Sequence, residues 1–105
     1  MLEISIADLT TRHGEGAYVL DVREPHEYAD GPVPGAVLIP MNELPTRMAE
    51  VPKGDPVYVI CRSGARSLTS TQQLRDAGYE AYSVAGGTLG WIEAGQPTVD
   101  GMDAR

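Results

Sequence analysis

The chain has 105 residues, 42% of them hydrophobic and 22% charged, a composition that fits one globular domain and excludes a fully disordered chain. Eight Lys and Arg against 15 Asp and Glu give a net charge of −7, so we expect partnership with neither nucleic acid nor an anionic membrane. The single cysteine excludes an internal disulfide and a cysteine-rich zinc site, and it favours a reducing compartment.

The N-terminus carries no basic stretch followed by an apolar one, and no apolar run approaches the roughly 18 residues that cross a bilayer. We therefore expect a cytoplasmic protein. Residues 1–99 are predicted to form one domain, and residues 100–105 a short polar tail.

Four short apolar segments are predicted to be strands because each is bounded by Gly, Pro or acidic residues. They are residues 18–22, 36–39, 57–61 and 81–84. None of them alternates strictly between apolar and polar residues, which is typical of strands buried on both faces of a largely parallel sheet.

The intervening segments predict helices. Ser5 is a candidate N-cap for the first, Pro25 suits the first turn of the second, Asn42 is a candidate N-cap for the third, and Gly78 closes the fourth. The predicted helices are residues 5–14, 25–29, 42–48, 67–77 and 87–94. Strands and helices thus alternate, which favours an open α/β sheet with its functional site at the carboxyl ends of the strands.

The most informative segment begins at the only cysteine, which ends a buried strand and precedes a helix. A thiol there faces unpaired amides and the positive end of a helix dipole, both of which favour the thiolate. Most free cysteines are inert and buried, but an inert one needs neither a following glycine nor two nearby arginines. We predict Cys61 as the nucleophile, and as substrate-binding residues Arg62, Ser63, Gly64, Ala65, Arg66 and Ser67.

This segment resembles the active-site loop of rhodanese-like sulfurtransferases, in which the cysteine carries a persulfide. Other stretches, from about Ile4 to Pro97, are similar to the family's further signatures. They are Asp21-Val22-Arg23-Glu24 with Glu27-Tyr28, then Gly31-Pro32-Val33-Pro34-Gly35-Ala36, and finally Gly86-Gly87 with Trp91. The second signature usually has a histidine where this sequence has Pro32.

The resemblance implies an open five-stranded, mostly parallel sheet with helices on both faces, its fifth strand lying near residues 2–4. It also implies transfer of a sulfane sulfur from thiosulfate or a similar small anionic donor to a thiol or cyanide, with no cofactor and no metal. His13 and His26 lack companions with metal-ligand spacing, in agreement with the last point.

Three other functions use a fold of this kind. Related cysteine phosphatases place five residues between Cys and Arg, whereas four separate Cys61 from Arg66 here, and a shorter loop suits a sulfur atom better than a phosphoryl group. Non-catalytic rhodanese-like modules commonly lack the cysteine. A persulfide carrier that relays sulfur between a protein donor and a protein acceptor would use the same residues, so the sequence leaves that alternative open.

Two arginines are predicted to have different roles, one in substrate binding and one in structure. We expect Arg66, near the helix start, to reach the oxygens of an anionic donor. Arg23 is expected to brace the neighbouring acidic segment by pairing with Asp21, Glu24 or Glu27.

Overall fold

A computed structural model describes residues 2–100. Twelve short elements alternate along them. The strands are β1 (Glu3–Ile4), β2 (Tyr18–Asp21), β3 (Val37–Leu38), β4 (Val57–Ile60) and β5 (Ala81–Val84). The helices are α1 (Ile6–Gly14), α2 (Pro25–Ala29), α3 (Leu44–Arg47), α4 (Ala65–Asp76) and α5 (Gly87–Glu93), and 3₁₀ turns at Met41–Glu43 and Met48–Glu50 flank α3.

The five strands form one sheet in the order β1-β5-β4-β2-β3, and every neighbouring pair is parallel. The predicted α/β sheet is therefore confirmed, including its short strand at the N-terminus. Of the predicted tail, residues 101–105 lie outside the described residues. Within residues 2–100, no helix is long and apolar enough to span a membrane.

The central strand β4 divides two cores. All four of its residues are buried. Tyr58 and Ile60 belong to a cluster that includes residues of α1 and α5. Val57, Val59 and Cys61 belong to the other cluster, with residues of α3 and α4. The period-two alternation of a strand thus carries Cys61 to the α4 face of the sheet.

The first two helices begin as the sequence predicts. The Ser5 hydroxyl accepts a hydrogen bond from the Asp8 amide at 3.0 Å, which caps α1. Pro25 occupies the first turn of α2, and the preceding Glu24 forms a reciprocal capping arrangement with Glu27.

The third helix is shorter than predicted, and Asn42 does not cap it. Asn42 lies inside the 3₁₀ turn Met41–Glu43, and α3 begins only at Leu44. Pro45 has no amide hydrogen with which to continue a helix from residue 41, so the segment breaks into three short pieces. The fourth helix begins at Ala65 rather than at Ser67.

Candidate active site

The cysteine loop links β4 to α4 and bends back over its own sulfur. Gly64, the N-cap of α4, has a φ of +119°, a left-handed conformation that glycine adopts without strain. This turn brings the Gly64 amide to the Cys61 Sγ, to which it donates a hydrogen bond at 3.0 Å. The side chain of Cys61 is only 1% exposed. The sulfur is therefore held at the base of the loop, with amide hydrogens directed at it.

Ser67, in the first turn of α4, lies next to the sulfur. Its Oγ is 3.4 Å from the Cys61 Sγ, 3.1 Å from the carbonyl oxygen of Gly64 and 2.8 Å from the Oγ of Ser83 on β5. When the sulfur is a thiol it donates to Ser67, and when it is a thiolate the Ser67 hydroxyl turns to donate to it. Ser83 can then donate to Ser67, so both hydroxyls reorient when the thiol of Cys61 loses its proton.

These contacts determine the acidity of the thiol. Burial by itself raises the pKa of Cys61, but hydrogen bonds from the Ser67 side chain and from the amides of Ser67, Gly64 and Ser63 outweigh burial, so the pKa lies below its ordinary value. The arrangement stabilises a negatively charged sulfur with neutral donors.

The far side of the loop is fixed by α5. The carbonyl oxygen of Cys61 accepts hydrogen bonds from the Thr88 amide at 2.8 Å and the Thr88 hydroxyl at 3.0 Å, and the Arg62 carbonyl accepts one from Leu89 at 3.1 Å. Gly87 allows this approach: a Cβ there would lie 2.6 Å from the Cys61 oxygen. With its carbonyls turned toward α5, the loop presents its amides to the sulfur.

Sequence reasoning placed Gly86 and Gly87 in a family signature without a role at the cysteine, and it did not identify Ser83 or Thr88. Only their position in the sequence could have indicated that these residues contact the cysteine loop. These residues end β5 or follow it, at the carboxyl edge of the sheet where the cysteine loop also lies.

Two arginines near the site form tight ion pairs. Arg23 pairs with the fully buried Asp21 through its Nε and one terminal nitrogen, at 2.9–3.1 Å, as predicted for a brace. We expected Arg66 to be available to an anionic donor, but it reaches α2, where both of its terminal nitrogens donate to the carboxylate of Glu27, at 2.7 and 2.8 Å. Because the sequence groups Glu27 with Arg23, it does not predict this pair.

The Glu27 pair has an electrostatic signature. The hydrogen bond from Arg66 lowers the pKa of Glu27 from an ordinary value of 4.5 to about 2. The same bond raises the pKa of Arg66, and the negative charge of Cys61 adds to that effect. Arg66 therefore interacts electrostatically with the sulfur of Cys61, while Glu27 of α2 fixes the position of its guanidinium.

The remaining predicted site residues form the rim. Arg62, Ser63 and Ala65 are exposed. The side chain of Arg62 has no hydrogen-bond or ion-pair partner among residues 2–100. Its charge is therefore uncompensated in the loop that follows Cys61.

Within the described part of the chain, no three His, Cys, Asp or Glu side chains gather in a way that could hold a metal ion. His13 hydrogen-bonds through its Nε2 with the Pro34 carbonyl oxygen at 2.7 Å and packs edge-on against Trp91. The candidate site thus consists of one sulfur, the amides and hydroxyls around it, and the arginines near it.

Comparison with known proteins shows the family of this chain. Residues 5–94 match the Rhodanese-like domain family. The chain belongs to that family. A sulfurtransferase of Allochromatium vinosum is 40% identical over 86 residues, which cover 81% of this chain and 80% of the relative.

Solved structures of rhodanese-like proteins have the same architecture. A rhodanese-related protein of Thermoplasma volcanium superposes with a TM-score of 0.88 at 34% identity, covering 94% of this chain and 98% of the other. A thiosulfate sulfurtransferase of Pseudomonas aeruginosa has a TM-score of 0.85 at 30% identity, over 97% of this chain but only 21% of that longer protein. This rhodanese-like chain is a member of a sulfurtransferase family.

Proposed function

We propose that this rhodanese-like protein moves a sulfane sulfur from thiosulfate to a thiophilic acceptor through a persulfide on Cys61. The observation that carries the proposal is the environment of the Cys61 Sγ, which accepts the Gly64 amide at 3.0 Å and lies 3.4 Å from the Ser67 hydroxyl. Such donors stabilise a thiolate before reaction and the terminal charge of a persulfide after it.

The transfer takes two displacements. The Cys61 thiolate bonds to the outer sulfur of thiosulfate, the S–S bond of the donor breaks, and sulfite leaves with the electron pair. An acceptor such as cyanide or a thiolate then bonds to the outer sulfur of the persulfide, and Cys61 departs as a thiolate. Every leaving group is an anion, so neither step needs a general base.

The loop residues divide into two groups in this proposal. The amides of Ser63, Gly64 and Ser67 hold the reacting sulfurs: the Gly64 amide donates to the Cys61 Sγ, and all three lower the pKa of its thiol. The exposed guanidinium of Arg62 meets the donor's oxygens, Ala65 leaves the loop mouth open, and Arg66 adds positive potential from its fixed place on Glu27.

A phosphatase function is not supported by this geometry. In such enzymes the loop arginine must be free to grip phosphoryl oxygens, whereas Arg66 gives both terminal nitrogens to Glu27. The short loop and the engaged arginine favour a substrate that presents a sulfur atom, and not a phosphoryl group, to Cys61.

A persulfide carrier in a protein relay is the second candidate. It uses the same cysteine and the same loop, and it differs in the source and destination of the sulfur. The exposed apolar side chains beside the site, described below, favour this extension of the chemistry.

Turnover of thiosulfate with cyanide, followed as thiocyanate release, tests the proposal. We expect the wild-type chain to be active and Cys61→Ser to lose at least ~10³-fold, since serine stays protonated at neutral pH. Circular dichroism of Cys61→Ser should match that of the wild type. Retained turnover in the folded variant would refute the assignment of the nucleophile.

A further inference from the structure

A groove of about 180 Å³ runs beside the cysteine loop, between α5 and the end of α2. Leu89 and Ile92 line it from α5, Arg62 from the loop, and Asp30 from the α2 side. We call it the α5 groove. Because the Leu89 amide is bonded to the Arg62 carbonyl, the apolar wall of the groove adjoins the nucleophile's loop.

The apolar wall is unusually exposed for this chain. Three large hydrophobic side chains are exposed among the described residues: Leu68 at 37%, Leu89 at 38% and Ile92 at 51%. Two of these three line the α5 groove, spaced three residues apart on one helix. Exposed apolar side chains do not stabilise a bound inorganic anion. Leu89 and Ile92 therefore indicate an additional ligand that carries apolar side chains.

The charged residues of the α5 groove indicate which charges its ligand should carry. Arg23 and Glu27, which also line it, are neutralised by Asp21 and Arg66. Among the described residues Arg62 and Asp30 have no ion-pair partner. One acidic side chain beside the reacting sulfur complements Arg62, whereas an acidic tract is repelled by Asp30 and by the net charge of −7.

The depth of the nucleophile adds a shape requirement. Cys61 is 1% exposed, so a broad, flat protein surface cannot bring its own cysteine to the sulfur. A narrow segment with a cysteine near its tip can enter.

We propose that the α5 groove docks a cysteine-bearing segment of a partner protein, with an apolar side chain on Leu89 and Ile92 and one acidic side chain on Arg62. This rests on the proposed persulfide chemistry. The partner's thiolate bonds to the outer sulfur of the Cys61 persulfide, the S–S bond to Cys61 breaks, and Cys61 leaves as a thiolate. The sulfur then resides on the partner's cysteine as a persulfide, with no net oxidation or reduction.

The test compares two probe peptides on three forms of the protein. One peptide contains Gly-Asp-Leu-Cys-Gly, and its matched control contains Gly-Lys-Ser-Cys-Gly. The protein forms are the wild type, the double variant Leu89→Ala/Ile92→Ala, and Leu68→Ala, which truncates a leucine of equal exposure that does not line the groove. Discharge of the Cys61 persulfide is timed with each peptide and with cyanide.

We expect the acidic-apolar peptide to discharge the wild type about tenfold faster than its control. The double variant should lose most of that preference, while Leu68→Ala retains it and all three forms react equally with cyanide. Equal rates for the two peptides, or the same loss in Leu68→Ala, would overturn the proposal.

A binding measurement separates this proposal from the chemistry on which it rests. Each peptide is titrated by NMR into Cys61→Ser, which cannot form a persulfide or a disulfide. Shifts at Leu89 and Ile92 that saturate with the acidic-apolar peptide alone support the docking site, and their absence refutes it. Failure of thiosulfate to load the wild type would instead refute the proposed function.

Discussion

Glu27 and Arg66 are 39 positions apart in sequence, yet the carboxylate of one and the guanidinium of the other form two hydrogen bonds, at 2.7 and 2.8 Å. The pair joins α2 to the first turn of α4, and so ties the segment after β2 to the cysteine loop after β4. It is partly buried, with the two side chains 19% and 35% exposed, which makes it less screened than the chain's surface pairs.

The pair predicts a pH dependence of stability. Arg66 holds the pKa of Glu27 near 2 in the folded chain, below its ordinary value of 4.5, so its stabilisation is complete above about pH 5 and is lost as the pH falls toward 2. Urea unfolding at pH 7 and at pH 3 should show that Glu27→Gln loses stability relative to wild type mainly at pH 7. Glu50→Gln, which removes an exposed partner of Arg47, should have little effect at either pH. A deficit that grows on acidification would contradict this account.

The two paired arginines should respond differently to truncation. Arg23→Ala leaves the fully buried Asp21 charged and unpaired, so the free energy of unfolding should fall by about 3–5 kcal/mol, while KM of the surviving folded fraction changes little. Arg66→Ala frees the Glu27 carboxylate near the loop, so KM for thiosulfate should rise about tenfold with a smaller loss of stability. Thermal unfolding and steady-state kinetics on both variants decide this. A stable Arg23→Ala with a raised KM would reverse the two assignments.

The acidity of the nucleophile should depend on one hydroxyl. Ser67→Ala removes the side-chain donor to Cys61, so the pKa of the thiol should rise and alkylation at pH 7 should slow by roughly fivefold to tenfold. Ser70 is the matched control, because it is buried on the same helix and its Oγ has no partner. An unchanged alkylation profile in Ser67→Ala, or an equal shift in Ser70→Ala, would show that the hydroxyl does not set the pKa.

The close contact of α5 with the loop can be tested at Gly87. A Cβ there meets the carbonyl oxygens of Cys61 and Arg62, at a φ of +58°. Gly87→Ala should therefore lower the free energy of unfolding by about 2–5 kcal/mol and reduce turnover. Gly16→Ala introduces a comparable positive-φ strain, at +85°, into open space and should cost about 1 kcal/mol without affecting turnover. Equal costs in the two variants would mean that the contact with the loop is not close.

The sequence predicted the elements whose signals are local. Short apolar runs located four of the five strands, Ser5 and Pro25 located two helix starts, and Gly64 marked the turn that brings an amide to the sulfur. The third helix was predicted wrongly because Asn42 is a good cap, but Pro45 breaks the hydrogen-bonding pattern that follows it.

What the sequence did not reveal are contacts made across the sheet. Nothing near Arg66 in the chain distinguishes Glu27 as its partner, because the pairing depends on β2 and β4 lying side by side. The same holds for the hydroxyl of Ser83 and for the contact of Gly87 with the loop. Residues far apart in sequence meet here only because the strands are parallel and their carboxyl ends share one edge.

The central claim, that Cys61 carries the transferred sulfur, is tested most directly by intact-mass spectrometry after incubation with thiosulfate. We predict that the wild-type chain gains one sulfur atom, located by fragmentation on Cys61, and that cyanide removes it. Cys61→Ser should gain nothing. A wild-type chain that gains no sulfur from either thiosulfate or inorganic polysulfide, or a Cys61→Ser chain that gains as much as the wild type, would contradict the account.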